Sequence, residues 1–281
     1  MNRTFFSFGG GVQSTAITLK LIYEPEYFQN LELPNLIIFA DTGAETKQVY
    51  AHVRSMLVLL NNAGYNTTIV KAKHKDGTQS SILDEPVNNR MGISTPPYFT
   101  KNTDGSTGML YRQCTEEYKI NPIQRKIREH LGYKYRQVIP RRSVNLWLGI
   151  SLDEIYRVKD NSAGWIQNYY PLIEQKWDRA KCLDYCLTKL GYIVPKSACY
   201  FCPFTNHNEW VRRKQQEPEN FKEAVDFDKR LRSNGDFGGI TQPVFLHRSC
   251  LPLDEVIEDQ MLMPLGEYFG FAEECTGHCH S

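Results

Sequence analysis

The sequence predicts a doubly wound α/β domain, a twisted parallel sheet with helices on both faces, followed by a helical, cysteine-rich extension. Three observations predict it. A short aromatic run at residues 3–8 stops at Gly9-Gly10-Gly11 and gives way to helical spacing of Ile17, Leu21 and Ile22. Residues 36–40 are an unbroken apolar run, the pattern of a parallel strand covered on both faces. Seven of the 8 cysteines lie after residue 180.

The elements follow in order. Residues 46–60 are amphipathic and predict a helix, and residues 66–71 return to a β-rich pattern. Strand, helix, strand, helix, strand implies right-handed crossover units on one sheet. Residues 73–112 are rich in Gly, Asn, Thr, Ser and Pro and predict a long loop, either a lid or a disordered insertion. Residues 115–131 predict a basic helix interrupted by Pro122, and residues 144–150 another buried strand that ends before Asp153 and Glu154. Residues 178–190 and 208–232 predict helices. The expected division is a nucleotide-binding α/β domain at 1–175, with the long loop 73–112, and a helical cysteine-rich region at 176–281.

Composition excludes several classes. With 281 residues, 41% hydrophobic and 23% charged, the chain is expected to fold as a globular protein. Lys+Arg 33 against Asp+Glu 32 leaves a net charge of +1, so no global field draws the molecule onto nucleic acid, although a local basic face remains open. No apolar run approaches the roughly 20 residues that span a bilayer, and the first residues lack the apolar core of a signal peptide. No membrane partner and a cytoplasmic location are expected.

Residues 7–15, Ser-Phe-Gly-Gly-Gly-Val-Gln-Ser-Thr, sit between the first strand and the first helix. There a sheet presents free amides and a helix dipole to an anion, glycines admit phosphate close to the main chain, and Ser14 or Thr15 adds a hydroxyl. The pattern is neither a Walker loop nor a dinucleotide fingerprint; the competing reading is a tight packing turn.

Ser7 to Ser14 resembles the pyrophosphate loop of the adenine-nucleotide α-hydrolase (PP-loop) superfamily, which includes ATP pyrophosphatases and phosphoadenosine-phosphosulfate (PAPS) reductases. Asp41-Thr42-Gly43 with Glu45 is similar to the Asp-Thr-Gly signature of the PAPS reductase-like branch. The resemblance continues through Arg112-Gln113-Cys114-Thr115, Tyr118-Lys119-Ile120, Gly149-Ile150-Ser151 with Asp153, Glu154 and Arg157, Tyr170-Pro171-Leu172-Ile173-Glu174 and Arg179. It extends to Ser197-Ala198-Cys199-Tyr200-Phe201-Cys202-Pro203-Phe204 with Trp210, Leu246-His247-Arg248-Ser249, and Glu274-Cys275. Gln13 stands where many ATP pyrophosphatases carry Asp, which is nearer to the reductase-like branch. The resemblance implies ATP or a related adenine nucleotide, with Mg²⁺ as an accompanying ion. Its expected binders are Ser7, Gly9, Gly10, Gly11, Gln13, Ser14, Asp41, Thr42 and Gly43, with Arg112, Lys119 and Arg157 neutralising phosphate or sulfate. Asp153 is expected near the ribose or a divalent ion, or else as a helix-terminal acid.

Cys199-x-x-Cys202-Pro203 can hold one metal or one cluster iron. Three schemes are ranked in this order. A [4Fe-4S] cluster would use Cys114, Cys199 and Cys202, with Cys186, Cys250 or a non-protein ligand as the fourth, resembling cluster-bearing sulfurtransferases that thiolate tRNA or install phosphorothioate in DNA. A structural Zn²⁺ would use Cys182, Cys186, Cys199 and Cys202. A dithiol pair would use the two CxxC thiols alone. The tail Glu274-Cys275-Thr276-Gly277-His278-Cys279-His280 loosely resembles the segment carrying the attacking cysteine of PAPS reductases, with Thr276 inserted. Cys114 and Cys275 are thus the candidate catalytic thiols, and Asp153 is the third candidate catalytic residue.

The expected function is ATP-dependent sulfur transfer to an adenylated acceptor, with tRNA or DNA as acceptor, a sulfur-donor protein and a homodimer all compatible. The alternatives are a sulfonucleotide reductase using Cys275 and an ATP-binding sensor with structural zinc. Basic residues at 136–142, the helix before them, and Trp210 with Arg212, Arg213 and Lys214 could serve nucleic acid or be solvated helix faces.

Overall fold

A computed structural model describes residues 3–74, 76–83, 96–233 and 242–258. Five strands, β1 (Thr4–Ser7), β2 (Leu36–Ala40), β3 (Thr67–Val70), β6 (Val144–Leu148) and β7 (Ile166–Tyr169), form a parallel sheet in the order β3-β2-β1-β6-β7. Phe5 is in register with Leu36 on one side and Leu146 on the other. The order reverses at β1, so the crevice above its carboxyl end is where an open α/β sheet binds ligands. The doubly wound expectation holds.

Period-two alternation explains the two covered faces. Phe6, Phe8, Ile37, Phe39 and Trp147 enter one core with α1 (Val12–Tyr23), α2 (Lys47–Asn62) and α5 (Arg179–Leu190). Phe5, Ile38, Leu146 and Leu148 enter another with Ile123 and Ile127 of α3 (Asn121–His130). Thr46 caps α2 through Val49 N, and Asp178 caps α5 through Lys181 N, so both helices begin where the sequence signalled. Pro122 lies in the first turn of α3, where its missing N–H costs nothing, and a π-type turn (Glu116–Ile120) precedes it. The predicted interruption is therefore a helix start. The helix expected at 208–232 is two, α6 (His207–Gln216) and α7 (Pro218–Ser233), divided at Pro218. Strand β7 was not expected.

A third core gathers Tyr98, Tyr118, Phe201, Trp210, Phe227 and Leu246. Around it stand α6, α7, α8 (Leu253–Glu258) and a three-stranded antiparallel sheet, β5-β4-β8, made of β4 (Phe99–Lys101), β5 (Thr107–Met109) and β8 (Val244–Phe245). This core corrects one expectation and is accompanied by packing across the expected boundary at 175/176. Residues 99–109, expected within a structureless loop 73–112, form a hairpin, its turn closed by Asp104 accepting from Ser106. The division into 1–175 and 176–281 does not coincide with packing. Trp177, Cys182, Cys186 and Val194 share the core of α1, while β4 and β5 join the C-terminal helices. The short segments α4 (Pro171–Glu174), Pro25–Phe28 and Leu152–Arg157 complete the fold. Among the described residues no helix is long and apolar enough to cross a membrane.

Two close approaches lock the crevice. A Cβ on Gly149, just after β6, would stand 2.8 Å from the Ser14 backbone nitrogen, so the chain after β6 touches the first turn of α1. His52 of α2 sits between Thr15 Oγ1 (2.8 Å) and the Tyr192 hydroxyl (3.0 Å), joining α1, α2 and the chain after α5. Burial lowers its pKa from 6.5 to about 4.

Gly149→Ala should cost about 1–3 kcal/mol through overpacking, read as a lowered urea midpoint. Gly164→Ala, whose Cβ would meet nothing closer than 3.9 Å, is the control. The depressed His52 pKa has a definite sign. The unfolded chain takes up the proton first, so stability is full above pH 6.5 and falls as pH drops toward about 4. The shift corresponds to about 3 kcal/mol, and denaturation of His52→Gln across pH 4 to 7 should show a shallower slope than the parent.

Candidate active site

The glycine loop joins β1 to α1. Gly10 has φ +74°, and a Cβ there would lie 2.8 Å from Val53 Cγ2, so both conformation and space require glycine. Gly11 caps α1 with no side-chain partner, leaving the N-terminal amides and dipole facing the crevice. Ser14 Oγ donates to Gly11 O at 3.1 Å. These features fit a phosphate group.

Gln13 is the hub of one wall. Its Nε2 donates to Glu154 Oε2 (3.0 Å), and its Oε1 accepts from Arg179 Nη1 (3.1 Å). Glu154 in turn pairs with the fully buried Arg157 at 2.8 Å. Arg157, expected to face phosphate, is engaged by its own carboxylate partner. Arg179 is the cation this wall brings to the loop; it appeared in the sequence only within a resembling segment. Asp153 Oδ1 accepts from the Arg179 backbone N–H (2.9 Å), so this exposed acid sits at the first turn of α5, beside the cap Asp178.

The opposite wall carries the cysteines. Asp41 Oδ1 accepts from Tyr50 OH (2.7 Å) and Gly43 N (2.8 Å), and Oδ2 pairs with Lys71 at 3.3 Å. Thr42 Oγ1 lies 3.5 Å from Cys199 Sγ. Glu45 forms a β-bridge with Cys199 and a buried ion pair with Lys119 (3.3 Å). Ser197, two residues before Cys199, donates to Gly9 O at 2.7 Å and lies 3.4 Å from Glu45 Oε2. One hydroxyl thus ties the glycine loop, the Lys119–Glu45 pair and the CxxC segment together.

Cys202 N bonds Cys199 O (3.1 Å), forming the turn that Pro203 follows. Arg213 of α6 donates to Tyr200 O between the two cysteines. Arg112 stacks over Phe204 at 4.9 Å and brings Cys114 to the same region. All three thiols, Cys114, Cys199 and Cys202, act electrostatically on the buried Tyr98 phenol; burial first, then these thiols, hold it well above its usual value. Nothing in the sequence flagged Tyr98. Burial pushes the Cys199 thiol well above 9, Glu45 adds to this, and Lys119 opposes it.

Cys186 stands apart. It is buried on α5, its thiol 3.6 Å from Val12 O, in the core shared with α1, and Cys182 lies beside it. Cys186, expected as a fourth ligand, and Cys182, its partner in the zinc scheme, both pack in the core that α5 shares with α1. Among the described residues no three His, Cys, Asp or Glu side chains stand close enough to hold a metal ion. Cys275, Cys279, His278 and His280 lie outside the described residues. The second basic cluster is corrected. Trp210 is fully buried, Arg213 supports Tyr200, Arg212 pairs with Glu209 and Glu217, and Lys214 donates to Ile257 O. Trp210 belongs to the third core, and the three cations are engaged around it.

No family model matches the chain, and no curated protein matches it. Solved structures do; one is the U34-tRNA thiolase NcsA from Methanococcus maripaludis with its [4Fe-4S] cluster, at 15% identity and a TM-score of 0.42, covering 100% of this chain and 82% of that chain.

Glu45→Gln removes the charge that raises the Cys199 thiol. Iodoacetamide labelling of Cys199 at pH 8, followed by peptide mass spectrometry, should quicken, because burial then opposes the thiolate without the added negative charge. Lys119→Met should slow it. Both break a buried ion pair and should lose about 3–5 kcal/mol of stability.

Proposed function

We propose that this chain is an adenine-nucleotide-dependent sulfurtransferase acting on a nucleic-acid acceptor. The observation that carries the reading is the Ser197 joint. Its hydroxyl holds the Gly9 carbonyl at 2.7 Å while its backbone leads two residues on into Cys199, so a phosphate loop and a thiol cluster form one unit. The order of PAPS reductase-like motifs along the chain supports the same reading.

ATP fits the residues present. Amides at 9–11, the N-terminus of α1 and Ser14 would hold the phosphates, and the nucleotide would supply an activating adenylyl group. The acids beside the loop, Asp41, Glu45 and Glu154, are each engaged by donors, and Asp153, exposed with one oxygen on the Arg179 N–H, would be the carboxylate left to meet Mg²⁺. The cysteines form no ligand set for a cluster or zinc among those residues.

The chemistry balances with thiols alone, given a persulfide-donor protein and a dithiol reductant. An acceptor carbonyl oxygen attacks the α-phosphorus, an O–P bond forms and pyrophosphate leaves. The terminal sulfur of a persulfide on one of Cys114, Cys199 and Cys202 attacks the activated carbon, a C–S bond forms, and AMP departs with the oxygen. A neighbouring thiol attacks the resulting disulfide, releasing the thiolated acceptor and leaving a cysteine disulfide for the reductant. The chain's part is to hold the phosphates and to keep the thiols, each partly accessible, in the neighbourhood of Tyr98.

Calorimetry with ATP should give saturable heat for the parent and none for Gly10→Val, whose side chain collides with Val53. Parent protein with an acceptor RNA or DNA should convert ATP to AMP and pyrophosphate. Absence of ATP binding, or of AMP under any acceptor, rejects the reading.

A further inference from the structure

A groove of about 290 Å³ runs between α3 and the β3 edge of the sheet. It is lined by Lys71, Lys73, Arg125, Lys126, Pro122 and Glu129, with Thr68, Ile69, Val70 and Gln79 beneath. The wall after β3 is built, not frayed. Lys73 bridges to Gln79, His74 N bonds Thr78 O at 2.9 Å, and Asp76 Oδ1 accepts from Thr78 N at 2.9 Å. Lys71 is spent on Asp41. Lys73, Arg125 and Lys126 form no ion pair among the described residues, so three cations face one open space with Glu129 as the acid lining it. In a chain of net charge +1, such a concentration is local.

We propose that this groove binds the phosphodiester backbone of a base-paired polynucleotide. The inference rests on the nucleic-acid acceptor of the sulfurtransferase reading and names where that acceptor is gripped. Guanidinium and ammonium groups without carboxylate partners are the groups that displace counterions from phosphates. Among the described residues no aromatic side chain lines the groove, so they offer no platform for unstacked bases; the groove holds backbone and positions, and does not read sequence. Its place fits the acceptor role. Lys71 at its rim pairs with Asp41, and the next residue, Thr42, touches Cys199 at 3.5 Å. A stem anchored here lies at the carboxyl edge of the sheet, beside the thiols and the glycine loop.

The test uses the whole chain and fluorescent hairpins of one sequence, made as RNA and as DNA, with anisotropy read from 50 to 200 mM salt. Lys73→Ala/Arg125→Ala/Lys126→Ala should bind the preferred hairpin at least tenfold more weakly at 50 mM. Its slope of log K against log salt should be flatter by about 2 to 3, near 0.9 for each phosphate that is no longer neutralised. Thermal melting and ATP calorimetry matching the parent establish that the variant is folded with its loop intact, and the single Lys126→Glu variant repeats the test should the triple variant melt early. Parental affinity and slope in the folded variant overturn the proposal. So does poly-glutamate displacing the hairpin equally well at equal charge, which would make the groove a site for acidic peptides. Groove-dependent hairpin binding without ATP binding keeps this inference and rejects the sulfurtransferase; ATP binding with groove-independent hairpin binding does the reverse.

Discussion

The buried Lys119–Glu45 pair, with Ser197 beside it, is the constraint on which the site depends. A charged pair taken out of water is tolerated only when geometry and additional hydrogen bonds repay the loss of solvation. Here the compensation comes from three parts of the chain: the turn after β2, the π-type turn before α3, and the segment leading to the CxxC. Because each supplies one partner, none can shift without stranding a charge. The Gly9 carbonyl is bound to this knot, so the loop inherits its rigidity from a salt bridge outside it.

Much of this was legible in residue order. Strand and helix periods and glycine placement gave the doubly wound sheet and its crevice, because these signals are local. The glycine loop and the CxxC were visible for the same reason. The partners of each group were not. Nothing near Arg157 in sequence says whether it faces solvent phosphate or Glu154, and nothing near Cys186 says that α5 lies on α1. Those outcomes are fixed by tertiary packing, which in the case of Cys186 and Val12 joins residues more than a hundred positions apart.

The misread elements share a cause. Residues 99–109 looked like loop because β-strands of three residues with polar faces carry little periodicity; their partner β8 is two residues long. The Trp210 and Arg213 cluster was open to two readings, a nucleic-acid platform or a solvated helix face, because composition does not distinguish a surface aromatic from a buried one. In both cases tertiary packing around Tyr98 and Phe227 overrode the local pattern.

The pairing of β4 with β8 has a consequence for biogenesis. Thr100 is in register with Val244, so the hydrophobic nucleus beneath the thiols closes only once a ribosome has delivered both. The loop-closure entropy of so distant a pairing makes it a late event in folding. A nascent polypeptide would complete the crevice at its glycine loop after α5 emerges and the core around Tyr98 afterwards, so Cys199 and Cys202 would meet their fixed neighbours at the last step of maturation.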